Sequence, residues 1–144
     1  MSVLTLGQIR IHPGSVSQDA ALQEATDILV TAGAVTPAYV DAMRQREATV
    51  STYMGNGLAI PHGTNEMKDT ILASALSVVR YDGGVDWAGE QANFVIGIAG
   101  RGDEHLEILS QIAILFSDDD DVAKLNAAAT PDELYALLSA VNEG

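Results

Sequence analysis

The sequence predicts an α/β domain in which a mixed β-sheet is sandwiched between two helical layers. Three observations predict it. Strand-like apolar runs alternate with segments of helical periodicity along the chain, the pattern of layered α/β folds. Residues 94–99, Phe-Val-Ile-Gly-Ile-Ala, are continuously apolar, as expected of a central strand covered on both faces. The helical segments carry their own start signals: Ser17, Thr36-Pro37 and Thr130-Pro131-Asp132-Glu133. At about 100–200 residues per domain, the 144 residues make one domain, 1–144.

Leu4, Leu6, Ile9 and Ile11 surround Gly7 in a mixed pattern that reads as a bulged strand, ended by Pro13-Gly14. The Ser17 hydroxyl can accept the first free amides of a helix whose inward residues are Ala21, Leu22, Ala25, Ile28 and Leu29, with Gly33 as its stop. A second helix starts at Thr36-Pro37, where the missing proline N–H costs nothing, buries Val40 and Met43, and ends near Arg46. Gly55-Asn56-Gly57 is a tight turn before the short apolar run Leu58-Ala59-Ile60. Residues 72–81 read as a strand, with Asp82-Gly83-Gly84 as its turn. After the 94–99 strand, residues 100–103 turn the chain into a helix with Leu106, Leu109, Ile112, Ala113 and Phe116 inward. Residues 118–121 open a short helix with Val122 and Leu125 inward. A last helix follows Thr130, with Leu134, Leu137, Leu138 and Val141 on its inner stripe.

Apolar residues make up 47% of the chain and charged residues 19%, a globular composition. The net charge of −13 repels phosphate backbones and anionic bilayers, which argues against nucleic acid or a membrane surface as partner. No cysteine is present, so disulfides, zinc–thiolate sites, Fe–S clusters and thiol nucleophiles are excluded for this chain. No apolar stretch approaches the ~18 residues of a membrane span, and the first eleven residues lack the pattern of a signal peptide.

Three histidines remain as candidate chemistry. His62 follows an apolar run and sits between Pro61 and Gly63, a setting that presents an imidazole at the rim of a sheet. His105 lies in the first turn of a predicted helix, where free amides and the dipole disfavour an imidazolium, so it is expected to be neutral. His12, before Pro13-Gly14, reads as a surface turn residue. Arg46 is suited to the helix C-terminal dipole or to gripping an anion with its planar fork. Local spacing alone favours the plainer reading of each: a loop histidine, a surface helix residue, a solvated cation. Gly55-x-Gly57 lacks the rest of a dinucleotide fingerprint, and Walker A and Gly-x-Ser-x-Gly motifs are absent. No histidine spacing supports a metal site, and the aspartates at 118–121 lack the glycine and glutamate of a calcium loop.

The decapeptide Gly55-Asn56-Gly57-Leu58-Ala59-Ile60-Pro61-His62-Gly63-Thr64 resembles the phosphorylation-site motif of the mannitol/fructose-type enzyme IIA family. These proteins serve the bacterial phosphoenolpyruvate-dependent sugar phosphotransferase system. The likeness extends back through Ser51-Thr52-Tyr53 to Arg46-Glu47. It extends forward to residues 94–99 and to Asp103-Glu104-His105-Leu106-Glu107-Ile108-Leu109. Thr64, Arg46 and the Ser51-Thr52-Tyr53 lead-in resemble the mannitol branch most.

The resemblance implies the three-layer fold of mannitol-type enzyme IIA and a cytoplasmic phosphocarrier. The family's phosphorylated histidine maps onto His62, its second active-site histidine onto His105 and its active-site arginine onto Arg46. Phospho-HPr is the implied donor and a cysteine of a IIB domain the implied acceptor, with no metal, nucleotide or other cofactor. His62 attacks through Nε2 by analogy with the family, His105 hydrogen-bonds the transferring group and Arg46 adds positive charge. An imidazole suits both halves of the transfer, being a nucleophile when neutral and a leaving group when protonated. An apolar docking ring including Leu58 and Ile60 or their neighbours is expected around His62. The alternative within the family is a nitrogen-type regulatory module, in which phosphorylation of His62 switches binding to another protein.

Overall fold

The computed structural model describes residues 3–63 and 69–143. Five strands form one mixed sheet: β1 (Ile9–His12), β2 (Tyr53–Gly55), β3 (Leu58–Ala59), β4 (Ala75–Trp87) and β5 (Glu90–Ala99). Their order across the sheet is β1-β4-β5-β3-β2. β1 runs parallel to β4, β4 antiparallel to β5, β3 parallel to β5, and β2 antiparallel to β3. The five α-helices are α1 (Gln18–Thr31), α2 (Tyr39–Thr49), α3 (Glu104–Ser117), α4 (Asp119–Ala127) and α5 (Pro131–Leu138).

The alternation of side chains along a strand divides the core in two. Val79 and Val95 point to one face, where Leu22, Ala25, Ile28 and Leu29 of α1 and Val40 and Met43 of α2 cover them. Leu76, Val78, Phe94, Ile96 and Ile98 point to the other, where Ile108, Ile112 and Phe116 of α3, Leu125 of α4, and Leu134 and Leu138 of α5 cover them. β5 is therefore buried on both faces, as its unbroken apolar run predicts. Helices on both faces bear out the expected sandwich.

Local chemistry sets the helix starts. The Ser17 hydroxyl accepts from the Ala20 amide at 3.1 Å, a cap worth about 1 kcal/mol. Asp118 caps α4 through the amides of Asp120 and Asp121. The Thr130 hydroxyl accepts from Glu133 N, but the Glu133 carboxylate reaches back to the amide of Ala129 rather than that of Thr130.

Five local expectations are corrected. Residues 6–8 form a 3-10 turn before β1 rather than a strand with a bulge. α2 starts at Tyr39, not at Pro37, because Thr36 O accepts the Tyr39 amide in a separate turn; it ends at Thr49 rather than near Arg46. Asp82-Gly83-Gly84 is not the turn of the hairpin. Residues 81–84 bulge opposite Asn93 alone, Gly83 N donates to Gly14 O, and the strand runs on to Trp87. The chain reverses instead at Ala88-Gly89, whose φ values of 55° and 93° suit a tight primed hairpin turn. Leu106 and Leu137 are exposed, because the inner stripe of α3 runs through Ile108 and that of α5 through Leu134 and Leu138. Thr64 lies outside the described residues.

Candidate functional site

β3 ends at Ala59, but the chain continues beside β5. Ile98 N donates to Pro61 O at 3.0 Å, and His62 forms an isolated parallel bridge with Ile98. This lays His62 against the C-terminal end of β5, where the polypeptide leaves the sheet for α3. Gly63 is needed here for space: a Cβ would sit 2.7 Å from the Tyr39 ring and 2.9 Å from the Ala42 Cβ. The Tyr39 hydroxyl accepts from Gly63 N at 2.9 Å and donates to Ile98 O at 2.6 Å.

His105 comes to the same place along the other route. β5 ends at Ala99, and the turn at 100–103 brings His105 into the first turn of α3. The backbone passes so close that a Cβ on Gly100 would lie 2.5 Å from His105 Cα. Ser74 braces the turn: its hydroxyl donates to Glu104 Oε1 at 2.6 Å and accepts from Arg101 N at 3.0 Å. The two imidazoles, 43 positions apart in sequence, meet with ring centroids 5.1 Å apart and planes inclined at 60°.

The pair faces a cleft of about 630 Å³ walled by Arg46 and Thr49 of α2, Ile71, Gly100, Gly102 and Leu106. Arg46 Nη1 donates to Val50 O at 2.6 Å, so its guanidinium closes the end of α2 while bordering the cleft. Among the described residues, three of the five arginines are ion-paired: Arg10 to Glu24, Arg44 to Asp19 and Asp41, and Arg80 to Asp82. Arg46 and Arg101 donate instead to backbone carbonyls, of Val50 and Leu72. Arg101 borders a hollow that shares Ile71, Gly100 and Gly102 with the cleft. In a chain of net charge −13, Arg46 lines the cleft that holds the two histidines.

Burial holds the His62 imidazole below its ordinary pKa; the hydrogen bond to Ile60 O opposes this, and the charge of Arg46 adds to it. Burial also lowers His105, with His62 as the second cause. Both shifts favour the neutral ring. The His62 Nδ1–H donates to Ile60 O at 2.7 Å, because a carbonyl can only accept. That bond fixes the tautomer and leaves Nε2 with its lone pair. A neutral imidazole whose second nitrogen has no partner among the described residues, a second imidazole beside it and a guanidinium nearby can accept and hold a phosphoryl group.

The family resemblance places His62, His105 and Arg46 in one site, and the structure brings all three to one cleft. The sequence reading missed Tyr39 and Ser74, whose positioning contacts reach Gly63 and Ile98 in one case and Arg101 and Glu104 in the other. The helix-start proline before Tyr39 marked the element but not the hydroxyl. Leu58 and Ile60 do not form an apolar ring around the cleft, since both are buried in the core. The exposed apolar side chain on the cleft wall is Leu106, with Leu72 exposed next to Ile71. His12 does not line the cleft; its Nε2 donates to Glu24 Oε2 at 2.7 Å.

The family model described as "Phosphoenolpyruvate-dependent sugar phosphotransferase system, EIIA 2" matches residues 2–141. The chain belongs to this enzyme IIA family. As a family member it is a phosphotransferase component. A mannitol-specific phosphotransferase enzyme IIA component from Halalkalibacterium halodurans is 45% identical over 142 residues, covering 99% of this chain and 98% of the relative. Another, from Staphylococcus aureus, is 49% identical over 118 residues, 82% of each chain. A solved complex of mannitol enzyme IIA with phosphorylated enzyme IIB from Escherichia coli matches with a TM-score of 0.87 at 33% identity. The match covers 95% of this chain and 97% of that one. The enzyme IIA fold is thus shared along nearly the whole chain.

Proposed function

We propose that this protein is the phosphocarrier of a mannitol-type sugar uptake system, with residues 1–144 acting as one cytoplasmic domain. Phospho-HPr docks at the cleft, and His62 Nε2 attacks its phosphorus in line. The N–P bond to the donor imidazole breaks as the new N–P bond forms, and the donor ring leaves with the electron pair. The IIB cysteine thiolate then attacks the same phosphorus, and the His62 imidazole is the leaving group. His105 hydrogen-bonds the transferring group, and Arg46 offsets its charge. The work is positioning and charge stabilisation, as in other phosphoryl transfers, with no cofactor.

The observation that carries the reading is the His62 ring, tied at Nδ1 and free at Nε2, with His105 at 5.1 Å. Mannitol as the sugar is supported by the specificity named for the relatives at 45% and 49% identity. The same names give the nitrogen-type regulatory alternative less support. The test is reconstitution: phosphorylated protein mixed with IIB domains of a mannitol and a fructose permease. Faster transfer to the mannitol IIB is expected; equal or preferential transfer to the fructose IIB would overturn the specificity.

The acidic surface complements a donor with basic residues around its active site, and long-range attraction acts over about 10 Å at 0.1 M salt. The association rate with HPr is therefore expected to fall with added salt in stopped-flow measurements.

A further inference from the structure

We infer that Tyr39 is a positioning residue for phosphoryl acceptance, its hydroxyl setting where the His62 imidazole stands. The inference rests on His62 being the phosphoryl acceptor.

A parallel ladder alternates its bonds: if Ile98 N donates to the carbonyl of the residue before His62, the amide of the residue after it should donate to Ile98 O. The first bond is present, from Ile98 N to Pro61 O at 3.0 Å. At the second rung the Tyr39 hydroxyl accepts from Gly63 N at 2.9 Å and donates to Ile98 O at 2.6 Å. A phenol oxygen thus bridges the two backbone groups of that rung. That bridge lies one residue beyond His62.

The phenol is well suited to this place. The Tyr39 ring is buried and its hydroxyl is held up to a pKa of about 12 by that burial, so it stays a donor and an acceptor through the working range. The ring is wedged against the Gly63 backbone, as the 2.7 Å approach of a Cβ there indicates. The hydroxyl satisfies two backbone groups that would otherwise face each other or remain unpaired. If it is removed, either Gly63 closes onto Ile98, drawing His62 toward the sheet, or two polar groups are left without partners. In both cases His62 Nε2 loses its fixed distance from His105. A misplacement of about 1 Å is enough to cost up to about 10²-fold in a transfer that depends on alignment.

The experiment compares wild-type protein with Tyr39→Phe, which keeps the ring and removes the oxygen. Acceptance from phospho-HPr is followed by rapid quench, folding by urea melts, and the His62 ring by ¹⁵N NMR. The expected result is an acceptance rate lower by about 10–100-fold, with altered His62 nitrogen shifts in a protein that still melts cooperatively. Incorporation of 3-fluorotyrosine at 39, which restores the hydroxyl, should restore the rate. A lower melting midpoint with unchanged rate and unchanged His62 shifts would make Tyr39 a purely structural residue and overturn the inference. If Tyr39→Phe does not fold, the wild-type protein decides. A slowly exchanging Tyr39 hydroxyl proton coupled to the Ile98 carbonyl carbon is expected, and its absence would overturn the inference. Wild-type protein that takes no phosphate on His62 would defeat the acceptor reading itself, a result distinct from any of these.

Discussion

His12 and His62 stand in similar sequence, each at the end of a strand-like run and next to a proline and a glycine. The structure uses them in opposite ways. His12 Nε2 donates to Glu24 Oε2 at 2.7 Å, and its ring packs on Tyr81 with centroids 5.5 Å apart. Glu24 also accepts from the Tyr81 hydroxyl at 2.6 Å and from Arg10 at 3.1 Å. Burial alone would raise the Glu24 carboxyl, but these hydrogen bonds outweigh it and hold the group ionised. His12 is therefore a clasp between β1 and α1, and the nitrogen that points away from its own backbone is taken. His62 gives Nδ1 to a backbone carbonyl, and among the described residues nothing takes Nε2; the ring borders a cleft with a guanidinium in its wall. What distinguishes a candidate nucleophile is the partner of each ring nitrogen. The proline and glycine around it are common to both.

Deleting each cleft ring should have the largest effect. His62→Ala is expected to abolish acceptance from phospho-HPr in a labelling assay. His105→Ala should still take label but pass it to IIB about 10²–10³-fold more slowly, the typical cost of losing one stabilising donor. If His105→Ala lost all label while His62→Ala kept it, the two roles would be reversed.

Arg46 sharpens the contrast between charge at the cleft and charge at a helix end. Loss of one hydrogen bond to a charged group predicts that Arg46→Gln slows transfer by about 10–100-fold. The helix-end contribution predicts only about 0.3–1 kcal/mol in a urea melt. A normal transfer rate with a lower melt would leave Arg46 a capping residue alone.

The pH dependence follows from the burial of both cleft histidines. Their folded pKa values lie below the ordinary 6.5, so His62 stays neutral and nucleophilic as pH falls past that value. The acceptance rate should be flat through neutrality and decline only on the acid side of 6.5, as read from a pH–rate profile. The stability sign is the same: the contribution is present above the unfolded value and is lost as pH falls toward the depressed folded values. The smallest effect is expected at the clasp. His12→Ala should leave transfer unchanged and cost about 1 kcal/mol of stability, because it removes one part-buried side-chain hydrogen bond.

The features legible in the sequence were those written locally. Residues 94–99 announced a doubly covered strand, Ser17 and Thr130 announced helix starts, and the turn carrying His62 stood out between Pro61 and Gly63. The hairpin was misplaced because Asp82-Gly83-Gly84 has turn chemistry, yet contact with Gly14 makes those residues a bulge. Leu106 fitted the helical stripe, but the stripe of α3 is set by which residues reach the sheet, and that depends on how the helix leaves β5. Tyr39 was invisible because its hydroxyl acts on residues 24 and 59 positions away. The pairing of His62 with His105 was legible only through the family resemblance, since no local spacing joins them.

The most direct test of the central claim is the identity of the labelled atom. Wild-type protein is incubated with phosphoenolpyruvate, enzyme I and HPr, and the phosphohistidine is located by ³¹P–¹⁵N correlation and fragment mass. Because Nδ1 of His62 is committed to Ile60 O at 2.7 Å, the phosphoryl group should be found on His62 Nε2. Phosphate on His62 Nδ1, on His105 or on His12 would contradict the account.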